Sequence, residues 1–260
     1  MTAHPSLDGT RLTVEAYAAH LAADVVALAT ASTDLDAQVP GCPDWRVRDL
    51  ISHVVGVYRH KVAALDADAA PPQPEPPHDW GDLTEGEDPC DALRSAYADL
   101  RDRLDARGPD SVTWTWWPPE QTVAFWVRRM AQETAVHRWD AESAAHGVDD
   151  AGEIDAALAA DGVDELLGWL TWPWDEMPQD EATGQKVLVS SGDHSWTVTL
   201  HPTRVEVAGG GDDAAVSLLA AEPSGLLLHL WGRPGEHGVA TGGDEVALRL
   251  LHERLAALAS

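Results

Sequence analysis

The 260-residue chain is poor in several residue types, and each scarcity excludes something. There are two cysteines, Cys42 and Cys90, and no C-x-x-C pair. That rules out a disulfide framework and a zinc ribbon, and a reducing cytoplasm is expected. No run approaches the roughly 18 apolar residues that span a bilayer, and residues 1–11 lack the apolar core of a signal peptide. Secretion and membrane insertion are therefore not expected. Basic side chains are few: 17 Lys+Arg face 44 Asp+Glu, for a formal net charge of −27. Such a surface repels phosphate backbones, which argues against nucleic acid as a partner. The plain reading of the charge is solubility. Lysine occurs only at Lys61 and Lys186 and phenylalanine only at Phe125, a bias that fits the codon usage of a GC-rich bacterium. No phosphate-binding loop and no G-x-G-x-x-G opening a helix after a strand is present.

What is abundant is alanine, acid and tryptophan, the last occurring 12 times. The length suits one large or two small domains. Apolar residues at spacings of three and four predict a helix over 12–31, through Val14, Tyr17, Leu21, Val25 and Leu28. A turn over Val39–Asp44 precedes a second helix, from Trp45 to about Leu65, with Asp44 as its cap. Residues 66–87, rich in proline and acid, predict a long exposed loop of the kind that forms a mobile flap. Asp88-Pro89 opens a third helix that runs to about Arg107. A loop holding Trp114, Trp116 and Trp117 leads to a fourth helix over 122–146, which Gly147 stops. Four long helices predict a four-helix bundle over residues 1–148.

The remainder, 149–260, predicts a small α+β domain, so the fold class is α+β. Its expected elements are a helix over 154–172, strands over 186–191, 195–200 and 204–208, a helix over 223–231, a strand over 239–241 and a helix over 245–258.

The sharpest chemical signal is Glu133-Thr-Ala-Val-His137. Four residues apart on a helix, the two side chains share one face and can reach one divalent cation. His53, beside the apolar stripe of the second helix, supplies a third ligand if the helices face each other. Two histidines and one carboxylate leave positions open for water or substrate, as a catalytic site requires. The plain alternative is that these are hydrogen-bonded core residues. His60, two turns beyond His53, is a rival ligand or a supporting group. Cys42 reads as structural.

Two stretches carry a family resemblance. Val39-Pro-Gly-Cys-Pro-Asp-Trp45-Arg-Val-Arg-Asp-Leu-Ile-Ser-His53 and Arg128-Arg-Met-Ala-Gln-Glu133-Thr-Ala-Val-His137-Arg-Trp-Asp140-Ala-Glu resemble the two signatures of the mycothiol-dependent maleylpyruvate isomerase family. Those proteins belong to the DinB-like metal-binding four-helix bundles. Leu226-Leu-Leu-His-Leu-Trp-Gly-Arg233, with Gly243-Asp244, is similar to the family's companion domain, which resembles sterol carrier proteins. The resemblance implies that His53, Glu133 and His137 bind a divalent metal, usually zinc, and that mycothiol is the cosubstrate. It implies a catalytic contribution from Arg233. Asp140, three residues after His137, either orients a ligand imidazole or holds the cosubstrate, against the plain reading of a surface carboxylate.

A metal that lowers a thiol's pKa would give a nucleophile for an electron-poor alkene. Rotation and elimination then yield cis–trans isomerisation; without elimination the outcome is S-transfer. The Trp114–Trp117 loop suits an apolar electrophile, or simply the core. The expectation is a cytoplasmic enzyme, monomeric or homodimeric, that acts on small molecules. The rivals are a binding module with a structural metal and a metal-free bundle.

Overall fold

A computed structural model describes residues 9–74, 79–84, 86–172 and 181–258. Its contacts divide the chain into two compact units, which part between Gly152 and Glu153, with residues 9–12 grouped in the second unit.

Among the described residues the first unit holds four α-helices: α1 (Val14–Ala31), α2 (Val47–Ala67), α3 (Pro89–Arg107) and α4 (Val123–His146). The apolar stripes behave as their spacing predicts. Tyr17, Leu21, Val25 and Leu28 of α1 are buried, and α1 packs against α4 while α2 packs against α3. By length and composition α1 could also cross a membrane, but its stripe is buried within this unit, as in the core helix of a bundle. Thr13, Asp88 and Thr122 cap α1, α3 and α4 by accepting a backbone N–H. A short 3-10 turn, Val148–Asp150, follows α4 and packs on it.

The start of α2 differs from expectation. Asp44 is not its cap. Arg46 holds that position, and the Asp49 carboxylate accepts the Arg46 N–H at 2.8 Å. Pro43 and Trp45 are instead tied into the preceding turn, because the Gln38 amide donates to both carbonyls, at 2.6 and 2.7 Å.

The segment expected to be an exposed flap is partly docked. Residues 75–78 and 85 lie outside the described residues. Asp79–Asp82, however, lies on α2: Ser52 Oγ donates to Gly81 O at 2.7 Å, and Arg59 Nη1 donates to Asp82 O at 2.6 Å. Two glycines allow the approach. A Cβ on Gly56 would stand 2.8 Å from Gly81 N, and one on Gly81 would stand 2.5 Å from Ser52 O.

The second unit holds a five-stranded sheet, in order β3-β2-β1-β4-β5: β1 (Gln185–Ser191), β2 (His194–His201), β3 (Arg204–Gly209), β4 (Ser217–Ala220) and β5 (Ala240–Gly243). Neighbours are antiparallel except β1 and β4, which run parallel. Strand β4 has no counterpart in the sequence reading. Its four residues are too short a run to show a period. Helix α5 (Ala156–Trp169) packs on α6 (Pro223–Leu230), and α7 (Glu245–Leu258) packs on the sheet. Alternating Val187 and Val189 of β1 and Trp196, Val198 and Leu200 of β2 are buried.

The Gly81→Ala variant should lose about 1–3 kcal/mol of stability, because the new methyl meets helix backbone that cannot move aside. Thermal or urea unfolding reads this; unchanged stability would mean that the segment is not seated on α2.

Candidate metal centre

Helix α4 is buried along nearly its whole length and carries most of the polar machinery on one stripe. Arg129, Glu133, His137 and Asp140 follow one another at spacings of four, four and three, so they stack on one face. His53 reaches the same place from α2, and the structure brings it together with Glu133 and His137. One ligand-capable atom from each lies within 4.8 Å of the others.

One oxygen is the focus. Glu133 Oε1 is 3.1 Å from His53 Nε2 and 3.3 Å from His137 Nε2. The other oxygen, Oε2, accepts from Arg129 Nη2 at 2.7 Å. The back of the His137 ring is fixed by Asp140, whose Oδ2 lies 2.9 Å from Nδ1. Asp140 is fully buried, so it is not a surface carboxylate. Trp45 flanks His53 with ring centroids 4.8 Å apart, and the two imidazoles stand edge to face at 5.0 Å.

The donor set fits a divalent metal. Ligand bonds of about 2.1 Å in a tetrahedron place ligand atoms about 3.4 Å apart, close to the two separations around Oε1. A carboxylate bonded to a metal-ligating imidazole from behind is the usual support for such a ring, and Asp140 occupies that position.

An open cleft of about 600 Å³ borders His53, lined also by Trp45, His60, Lys61, Trp80 and Gly81. His60 is in this cleft but outside the three-residue cluster; its Nδ1 faces Lys61 Nζ at 3.0 Å. Cys42 lies in the turn before α2, is not in the cluster and carries no disulfide. Trp117 is buried, Trp114 O accepts from the Trp126 indole at 3.0 Å, and Trp116 packs on Phe125, so this loop is largely core. Arg233 belongs to the second unit, on the turn after α6, where its Nη1 donates to Trp231 O at 3.1 Å. The sequence reading passed over Arg129 and the Gly56–Gly81 contact. An arginine one turn before Glu133 and a glycine in mid-helix were their signals.

Residues 14–142 match the family described as mycothiol maleylpyruvate isomerase N-terminal domain. No curated protein matches the sequence. Among solved structures, a mycothiol-dependent maleylpyruvate isomerase aligns over 90% of this chain and 95% of its own, at 14% identity and a TM-score of 0.56. A histidine-to-alanine variant of such an isomerase aligns over the same shares, at 13% identity and a TM-score of 0.58. At these identities the likeness is one of fold.

The electrostatics of the cluster are set by its closeness. Burial alone pushes the Glu133 carboxyl up, but hydrogen bonds from His137 and His53 and the charges of His137 and Arg129 outweigh it, and Glu133 is held well below the usual carboxylate range. Burial likewise pulls His137 down, but Asp140 and Glu133 raise it from 6.5 to about 9. A raised histidine pKa stabilises the metal-free fold fully below 6.5, and that stability is lost as pH rises through about 9. Metal-free protein should therefore melt at falling temperature across this interval, and His137→Gln should flatten the decline. Equal slopes for the two proteins would contradict the arrangement.

Proposed function

We propose, from the premise that this chain belongs through residues 14–142 to the mycothiol maleylpyruvate isomerase N-terminal domain family, that it is a metal-dependent enzyme using a low-molecular-weight thiol, mycothiol, as nucleophile toward a small electrophile. The reaction is S-transfer or cis–trans isomerisation of the maleylpyruvate type. The observation that carries this reading is the convergence of His53, Glu133 and His137 on one point beside an open cleft. Two neutral imidazoles and one carboxylate bring a single negative charge. A divalent metal held there, zinc by preference, keeps residual positive charge that favours a thiolate over a thiol and polarises a carbonyl.

The residues around the cluster have separable tasks. His53, Glu133 and His137 are assigned as ligands. Arg129 fixes the second carboxylate oxygen, so Oε1 stays turned toward the imidazoles. Asp140 positions His137 and, being buried, does not contact a cosubstrate. Arg233 is assigned a catalytic role in the second unit on the family resemblance of its segment. The proposed setting is the cytoplasm, consistent with Cys42 and Cys90 carrying no disulfide.

Elemental analysis tests the ligand set. The purified protein should hold about one equivalent of divalent metal, lost in His53→Ala. Full occupancy in that variant would overturn the assignment. Asp140→Ala should weaken metal affinity about 10–100-fold while leaving the ligands in place. Product formation should require added thiol. Turnover without any thiol would overturn the nucleophile, and full activity of the metal-free protein would overturn the metal dependence. Arg233→Ala should lower turnover at unchanged metal content; an unchanged rate would remove Arg233 from the reaction.

A further inference from the structure

The two imidazoles that face Glu133 are supported unequally. His137 is buried, with 9% of its side chain exposed, and the Asp140 carboxylate holds its ring from behind at 2.9 Å. His53 is the open one, at 36%. An imidazole that ligates a metal through Nε2 carries its proton on Nδ1 and usually donates it to a carboxylate or carbonyl, which fixes the ring. Among the described residues no such acceptor meets the Nδ1 of His53, and the ring's hydrogen-bond contact is that of Nε2 with Glu133 Oε1. One polar contact at the tip leaves the plane of the ring unfixed.

Trp45 supplies the missing constraint. Its indole lies against the His53 ring, centroids 4.8 Å apart and planes tilted by 42°. The same indole reaches the second imidazole, 6.2 Å from His137 with a tilt of 36°. His53 comes from α2 and His137 from α4, so one ring borders both. The backbone beneath it is tied down. Trp45 N–H donates to Cys42 O at 2.8 Å, and Trp45 O accepts from Val39 N–H at 3.0 Å and from the Gln38 amide at 2.7 Å. The side chain itself is half-buried and lines the cleft, so core packing does not account for it.

We infer that Trp45 is a positioning residue for His53: by ring contact it holds the imidazole that no carboxylate holds, and so sets how tightly the cluster takes its metal. A metal-bound imidazole is electron-poor, and the electron-rich face of an indole favours it. The turn over residues 39–45 thereby gains a task beyond leading into α2. The inference rests on the ligand set proposed above and not on the thiol chemistry.

The zinc affinity of the purified full-length protein, read by competition with a chromophoric chelator, tests this in Trp45→Leu and Trp45→Phe. Both keep an apolar side chain on the turn, but only the second keeps a flat ring. Trp45→Leu should weaken zinc binding about tenfold, at the lower end of what the loss of a ligand's support brings, and Trp45→Phe should recover most of it. The visible bands of the cobalt-loaded protein should change in Trp45→Leu and return in Trp45→Phe. Wild-type zinc affinity in Trp45→Leu would overturn the role, and so would equal losses in the two variants. The metal-free variants should unfold at the same urea concentration; a lower midpoint in Trp45→Leu alone would assign the effect to the fold and overturn the role too. If Trp45→Leu does not fold, Gln38→Ala loosens the turn without altering the ring, and it should weaken zinc binding severalfold; unchanged affinity there would overturn the role. Wild type that takes up no zinc would defeat the ligand set and the role of Trp45 with it. Zinc uptake indifferent to Trp45 would defeat only the latter.

Discussion

The Glu133 carboxylate, shared between two imidazoles and one guanidinium, is the interaction on which the first unit's interior depends. A carboxylate in that position is costly unless every lone pair is met. His53, His137 and Arg129 meet it, and Asp140 in turn meets the far side of His137. The charges alternate along the α4 stripe, so each group compensates the next. Removing any one leaves its neighbour buried and unpaired, a loss larger than that of a single hydrogen bond. The same alternation holds the three candidate ligand atoms close before any metal arrives.

The facing helix contributes differently. On α2, His53 enters the cluster, Gly56 lets the Asp79–Asp82 segment lie against the helix, and His60 and Lys61 carry the polar wall onward. The docked segment gives the cleft a side that the bundle alone lacks. One helix face thus supplies a candidate metal ligand, a backbone seat and a cationic end.

Much of this was legible in the sequence, and the reasons are specific. Glu133 and His137 share a helix face by spacing alone, and His53 stood out as a polar residue beside an apolar stripe. The helices α1, α3 and α4 follow their caps and periods closely. What spacing could not convey is partnership across the chain. The seat of Gly81 on Ser52 joins residues far apart in sequence, and nothing local marks it. A run rich in proline and acid reads as exposed even where part of it is pinned by two hydrogen bonds to α2. Strand β4 escaped because its four residues are ordered by neighbours on both sides rather than by their own pattern. Asp44 lost the capping role because the Gln38 amide ties the Pro43 and Trp45 carbonyls into the preceding turn.

The central claim is that the cluster holds a metal with room for a thiol. X-ray absorption on the zinc-loaded protein, with and without the thiol, tests it most directly. The account predicts a shell of nitrogen and oxygen at about 2.0–2.2 Å alone and an added sulfur at about 2.3 Å once thiol is present. A spectrum unchanged by thiol, or a sulfur shell already present without it, would contradict the account.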